Sequence, residues 1–303
     1  MTRKVIAISG GKDSVSMALR LAELNPGAEF DYLITPTGNE TPDVFEHWQT
    51  LEATLGAPLT VIKPAYAKGE AVVEGCHVNG SWIVGEWENQ KVKTPSGKTK
   101  RIRVCVGAQE SDGEGLETWE GDGLLDLIHR QQMIPNFRAR WCTRQLKIEP
   151  IICWLVFNSP VIQFVGLRAD EEKREGLYGS IEGVETSYPL RDWGWGLEEV
   201  WRYLDAKGIG IPERTDCALC FFQRLIEWRR LHKNNESMYR DGEEIEAAIG
   251  HTFRSGSRDT WPASLAGLRA EWEAGRRVKG ESAFDQRMLF DCDREALCRV
   301  CSM

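Results

Sequence analysis

The chain predicts an α/β fold: a parallel sheet with helices on both faces, a β-hairpin insertion and a mostly helical, Cys-rich C-terminal appendage. Three observations carry this. Short apolar runs at 4–8, 30–35 and 59–62 alternate with helix-period segments at 14–24 and 42–55, the pattern of a parallel sheet covered on both sides. The alternation breaks over 69–123 and resumes beyond it, and 213–303 is rich in Trp, Arg and Cys without strand alternation. At 303 residues there is room for a main domain, 1–212, and a smaller C-terminal region, 213–303.

The first apolar run, Val5-Ile6-Ala7-Ile8, feeds directly into Ser9-Gly10-Gly11-Lys12-Asp13-Ser14 and then into a helix-like run from Val15 to Leu24. A strand turning sharply into a helix start aims several backbone N–H groups at one point, where anions collect. The glycines let the backbone approach a phosphate, Lys12 adds a positive charge, Ser9 and Ser14 add hydroxyls, and Asp13 suits a magnesium ion or the orienting of neighbours. The spacing fails G-x-x-x-x-G-K-[ST], so this is not an ordinary P-loop.

The second strand runs into Thr37-Gly38-Asn39-Glu40, expected at the same carboxyl edge of the sheet and therefore facing a nucleotide, with Glu40 holding magnesium or capping a helix. The insertion 69–123 reads as a hairpin of strand-like pieces around Trp82 to Trp87 and Val92 to Val106, turning at Thr94-Pro95-Ser96-Gly97. Helices follow at 123–132 and about 144–157, then the strand Val161 to Val165, then Gly166-Leu167-Arg168-Ala169-Asp170-Glu171, and a helix at 196–207. Arg168 follows a strand at the nucleotide edge and is expected to reach an α-phosphate; the alternative is a surface pair with Asp170 or Glu171.

A formal net charge of −8 excludes an all-basic surface, but charge is unevenly placed. Six bases and no acid lie between Lys91 and Arg103, and six acids and no base between Glu110 and Asp122. The basic run suits a nucleic-acid backbone, or the two runs face one another, or both are solvated. Phe221 to Lys233 interleaves bases with Phe222 and Trp228, which suits nucleic acid or an amphipathic helix with its aromatics in the core. The five histidines show no ligand spacing. No apolar run is long enough to cross a membrane and the N-terminus enters a strand at once, so a cytoplasmic protein is expected.

Of the nine cysteines, Cys76, Cys105 and Cys153 read as packing residues. Cys217 and Cys220 form a C-x-x-C, Cys298 and Cys301 another, and Cys292 lies nearby. Cys142 stands between Arg140 and Arg144 with Lys147 close by, a setting expected to favour the thiolate. Cys142, Cys217 and Cys220 suit an iron–sulfur cluster whose fourth ligand is Cys298, with Cys292 or Cys301 as alternatives; structural zinc or redox-active thiols fit the same residues.

Together with Arg140-Trp141-Cys142-Thr143-Arg144-Gln145-Leu146-Lys147, which matches R-W-C-T-x-x-L-K, Thr37-Gly38-Asn39-Glu40, which matches T-G-x-E, and Gly166-Leu167-Arg168, which matches G-[IL]-R, the Ser9–Ser14 turn resembles the PP-loop ATP pyrophosphatase superfamily in its phosphoadenosine phosphosulfate (PAPS) reductase-like branch. The similarity spans about residues 4–220 without the insertion, and is closest in type to the ATP pyrophosphatase of Dnd and Ssp DNA phosphorothioation systems. It implies a Rossmann-like adenine nucleotide alpha hydrolase sheet. It also implies that ATP is cleaved to AMP and pyrophosphate with Mg²⁺, with Lys12, Asp13, Arg168 and Cys142 catalytic and Ser9, Gly10, Gly11, Lys12, Asp13, Ser14, Thr37, Gly38 and Glu40 on the nucleotide. A 4Fe-4S cluster or zinc, a cysteine desulfurase as sulfur donor, and DNA rather than tRNA as acceptor complete what the resemblance implies, with no membrane partner. PAPS reductases have a degenerate turn and a terminal Glu-Cys-Gly; here the Gly-Gly-Lys-Asp core is whole and that signature is missing. Two alternatives stay open: a PAPS or adenylylsulfate reductase, and a nucleotide- and nucleic-acid-binding protein without turnover.

Overall fold

The structure, a computed structural model, describes residues 2–93, 99–171, 174, 181–279 and 281. The chain begins β1 (Arg3–Ala7), α1 (Lys12–Leu24), β2 (Asp31–Ile34), α2 (Pro42–Leu55), β3 (Leu59–Ala67). There follow β4 (Val73–Val78), β5 (Ser81–Lys93), β6 (Thr99–Ser111), β7 (Leu116–Glu117) and α3 (Gly123–Gln131). Next come α4 (Trp141–Thr143), a π-helical turn (Arg144–Ile148), α5 (Glu149–Phe157), β8 (Val161–Phe164), β9 (Val184–Ser187), α6 (Pro189–Asp192) and α7 (Leu197–Lys207). The C-terminal helices α8 (Leu225–Asn234), α9 (Glu236–Ile249) and α10 (Leu265–Glu273) complete the described chain.

All strands join one mixed sheet curled into a half-barrel, in the order β6-β5-β4-β3-β2-β1-β8-β9, with β7 on β3. The pairs β3–β2, β2–β1, β1–β8 and β8–β9 are parallel; those from β3 outward through β4, β5 and β6 are antiparallel. The expected parallel sheet is therefore one half of a mixed sheet, and the insertion extends that sheet instead of standing apart from it. β3 continues to Ala67, past the expected end at 62, because Ile62 to Tyr66 pair with β4. The turn expected at Thr94-Pro95-Ser96-Gly97 lies outside the described residues.

Three cores hold the layers. Ile6, Ile8, Val15, Leu51, Val200 and Leu204 pack α1, α2 and α7 on one face. Val5, Leu33, Ile62, Cys105, Ile152 and Val161 pack α5 on the other. Leu127, Trp141, Leu219, Trp228, Tyr239 and Leu268 join α3, α4 and the C-terminal helices. The alternating burial reflects the period-2 display of strand side chains. Among the described residues no helix is long and apolar enough to cross a membrane.

Candidate functional site

Because β1, β2 and β8 run parallel, the segments leaving their carboxyl ends lie at one edge of the sheet. The chain continues from β1 to β2 on one side and later places β8 on the other, so strand order reverses between β1 and β8, the switch point where open α/β sheets place a ligand crevice. Ser9–Ser14 and Gly166–Arg168 flank it.

In the first turn Gly10 has φ +81°, the left-handed region that favours glycine, and a Cβ there would come within 2.9 Å of Trp48 Nε1. The Gly10 carbonyl stands 3.1 Å from His47 Nε2 on α2. Gly11 is the N-cap of α1. Ser14 Oγ accepts from Ser9 N–H and donates to the Gly11 carbonyl, each at 3.1 Å, while Ser9 Oγ accepts from Gly11 N–H at 3.3 Å. These local bonds hold the turn in shape and leave the start of α1 with its helix-terminal N–H groups and positive dipole end.

Across the crevice, Gly166 packs its backbone on the same turn: a Cβ there would meet Asp13 C and Ser14 N at 3.1 Å. Arg168 is buried and reaches both Asp13 oxygens, at 3.0 and 3.1 Å. Its Nε donates to Asp170 at 2.8 Å and Glu171 lies 3.9 Å away. The expected pair with Asp170 thus exists, with the Asp170 carboxylate exposed and the Arg168 guanidinium buried and tied to the glycine turn. Lys12 Nζ is 4.0 Å from Asp13. Burial pushes the Asp13 carboxyl above its ordinary range, against the pull of Lys12 and Arg168.

The loop after β2 is folded on itself. Glu40 accepts from Thr37 N–H (2.9 Å), Thr37 Oγ1 (2.8 Å) and Gly38 N–H (3.0 Å), so its carboxylate staples its own loop. It does not cap α2, whose N-cap is Thr41. Gly38 (φ +78°) lets residues 121–123 pass, since a Cβ would stand 2.3 Å from the Gly121 carbonyl. Asn39, the variable position of T-G-x-E, is the connector that sequence reasoning missed. Its amide donates to Asp122, its side-chain oxygen accepts from Leu219 N–H at 2.8 Å, and its carbonyl accepts from Ala218 N–H at 2.6 Å. No spacing rule marks such a residue, because its partners come from two distant segments.

Those bonds bring the C-x-x-C to the loop after β2. Cys217 Sγ stands 3.2 Å from Thr37 Oγ1, whose own proton goes to Glu40, so the thiol is the donor of this contact, and Cys142 and Cys220 lie within electrostatic reach of one another. The expected thiolate at Cys142 is corrected: burial raises that thiol, outweighing Lys147 and Arg140. Burial likewise raises Cys217 and pushes Cys220 up to about 12. Lys147 and Arg214 offset negative charge around the trio. Among the described residues, no three His, Cys, Asp or Glu side chains meet in an arrangement that holds a metal ion. Cys292, Cys298 and Cys301 lie outside the described residues.

Two other expectations resolve plainly. Phe221 to Lys233 is mostly an amphipathic helix: Trp228 is fully buried, Arg229 pairs with Glu281 at 3.0 Å, and Arg230 pairs with Glu213. Trp228 is core, whereas Phe222 is half-buried with the Arg140 guanidinium 5.2 Å from its ring. Cys76, Cys105 and Cys153 are packing residues, but not solitary: Cys105 and Cys153 sulfurs are 3.5 Å apart. A cavity of about 90 Å³ between Thr41 of the loop before α2 and Arg230 of α8 is lined by Arg214 and Glu227, which pair with each other at 3.3 Å. Compared with protein-family models, with curated proteins and with solved structures, the chain finds no match.

Proposed function

We propose that this chain is an ATP pyrophosphatase of the PP-loop type on a Rossmann-like sheet, which adenylates a phosphate oxygen of nucleic acid so that sulfur can take its place, with DNA phosphorothioation as the reaction class. The observation that carries the reading is the Arg168–Asp13 pair across the β1/β8 crevice. It sets a fixed cation beside a helix N-terminus, at the edge where open α/β sheets bind nucleotides.

In this reading the β and γ phosphates sit on the N–H groups of Gly10 to Ser14, and Lys12 with Mg²⁺ balances the charge that grows on departing pyrophosphate. Asp13 holds Lys12 and Arg168 in place, so the cations cost no reorganisation as charge develops. A non-bridging oxygen of the acceptor attacks the α-phosphorus, the α–β bond breaks, and pyrophosphate leaves. The persulfide of a cysteine desulfurase, reduced by a dithiol that becomes a disulfide, gives sulfide; the sulfide attacks the acceptor phosphorus and AMP departs with the original oxygen. An iron–sulfur cluster on Cys142, Cys217 and Cys220, when bound, would supply a sulfide-carrying centre beside the Thr37 loop; no step here is routed through it.

Protein incubated with Mg²⁺, duplex DNA and ATP labelled at the α-phosphate is expected to release AMP and pyrophosphate. Lys12→Ala should lower that rate on the order of 100-fold while leaving the unfolding midpoint in place. Sulfite from PAPS with no AMP from ATP would replace the reading with the reductase, and ATP bound without turnover would replace it with a binding protein.

A further inference from the structure

β5 runs in the same direction as β3, because β4 is antiparallel to both. Val84 of β5 stands level with Gly75, and Gly75 with Ala65 of β3. β3 ends two residues later at Ala67, whereas β5 continues to Lys93. The β5/β6 ribbon therefore overshoots the end of β3 by seven residues, about 23 Å at 3.3 Å per residue. It does so at the carboxyl edge of the parallel strands, where the β1/β8 crevice opens.

The overshooting part is basic on one face. Lys91 is directly opposite Arg101, a like-charge cross-strand pair that is unfavourable without a counter-charge, and both are exposed. Neither makes an ion pair among the described residues. The acidic run does not neutralise them: Glu110 pairs with Ile83 at the far end of β6, nine residues or about 30 Å from Arg101, well past a Debye length of about 10 Å. Glu86 and Glu88 alternate to the other face. At the base of the ribbon Glu149 draws in Arg103 from β6 (3.5 Å) and Arg144 from the π-helical turn (3.8 Å), pinning the ribbon to the helical segment that carries Cys142.

We propose that the β5/β6 hairpin is a duplex-DNA-binding arm, with Lys91 and Arg101 set against phosphates as the ribbon enters the major groove. The groove of B-form DNA, about 12 Å wide, admits a two-stranded ribbon, and A-form RNA has too narrow a major groove for one. The inference rests on the reading of the crevice as the site that modifies nucleic acid, and it names the form of the acceptor: a duplex gripped beside the crevice.

The test is titration of the full chain with fluorescent duplexes of about thirty base pairs across a salt series. The double variant K91A/R101A is expected to weaken DNA binding about tenfold near 0.1 M salt and to lower the slope of log K against log salt by about two, with ATP affinity and the unfolding midpoint unchanged. The milder K91Q/R101Q should behave the same way. Unchanged affinity and slope would overturn the arm, as would equal affinity for an RNA duplex of the same sequence. The two readings fail separately. A chain that binds DNA through Lys91 and Arg101 but releases no AMP keeps the arm and loses the enzyme, and Lys12→Ala should keep wild-type DNA affinity.

Discussion

The two halves of the sheet each bury a carboxylate against arginine, and they use the pair differently. In the parallel half, Asp13 and Arg168 meet beyond the ends of β1 and β8, at the start of α1. In the antiparallel half, Glu149 meets Arg103 and Arg144 beneath a ribbon, its oxygens without hydrogen bonds among the described residues. The first arrangement ties the turn after β1 to the segment after β8; the second clamps a ribbon to a helix. A buried ion pair is thus no marker of chemistry by itself, and the surrounding backbone decides what it does.

Deleting one arginine from each half gives the largest expected effect. Arg168→Ala and Arg103→Ala each strand a buried carboxylate that keeps a second cation nearby, so each should cost about 3 kcal/mol in denaturant unfolding. Only Arg168→Ala should also abolish AMP formation at a temperature where both variants are folded. Equal loss in both would erase the distinction. Since burial raises Asp13 and Glu149, both carboxyls hold protons in the folded state longer than in the unfolded chain. Their contribution is present at low pH and lost as pH climbs from the ordinary carboxylate values through the raised ones.

A sharper pH signature sits where the halves join. Asp122, N-cap of α3 and partner of Asn39, is pushed by burial to about 6 from 3.8. Stability should therefore fall by about 2–3 kcal/mol as pH rises from about 4 to about 6. Asp122→Asn keeps a capping side chain and should flatten that part of the profile. A variant profile that still falls across this window would place the titration elsewhere.

Smaller still is the contrast between cysteine trios. Cys105→Ser puts a hydroxyl into an apolar core and should cost about 1–2 kcal/mol without touching turnover. Cys217→Ser, at a sulfur 3.2 Å from Thr37 Oγ1, should leave unfolding nearly unchanged yet strip iron and acid-labile sulfide from anaerobically purified protein. Zinc in place of iron would move the C-x-x-C to a structural role.

The parallel half was legible because its physics is local. The apolar runs at 4–8, 30–35 and Val161 to Val165 match β1, β2 and β8, and the run at 14–24 falls within α1. Of the antiparallel half only the β5/β6 pair was legible, as the expected hairpin; Lys63-Pro64 hides the continuation of β3 into the sheet, and the register shift between Val84 and Glu86, where Gly85 sits, breaks the alternation of β5. β9, four residues behind Gly183, carries too little pattern to read. The candidate site followed the same rule: Lys12, Asp13 and Arg168 stand in motifs, whereas Asn39, His47 and Asp122 matter through partners far along the chain. Cys142 was misjudged because neighbouring positive charges can be read from sequence and burial cannot.

Asn39 carries one more consequence, for the order in which the molecule assembles. Its two side-chain partners lie 83 and 180 residues away. Contacts of that span form only after the intervening chain has collapsed, so β1, α1 and the glycine turn complete early and the cysteine loop docks late. In refolding, protection of the Leu219 amide against hydrogen exchange should lag behind that of Val15.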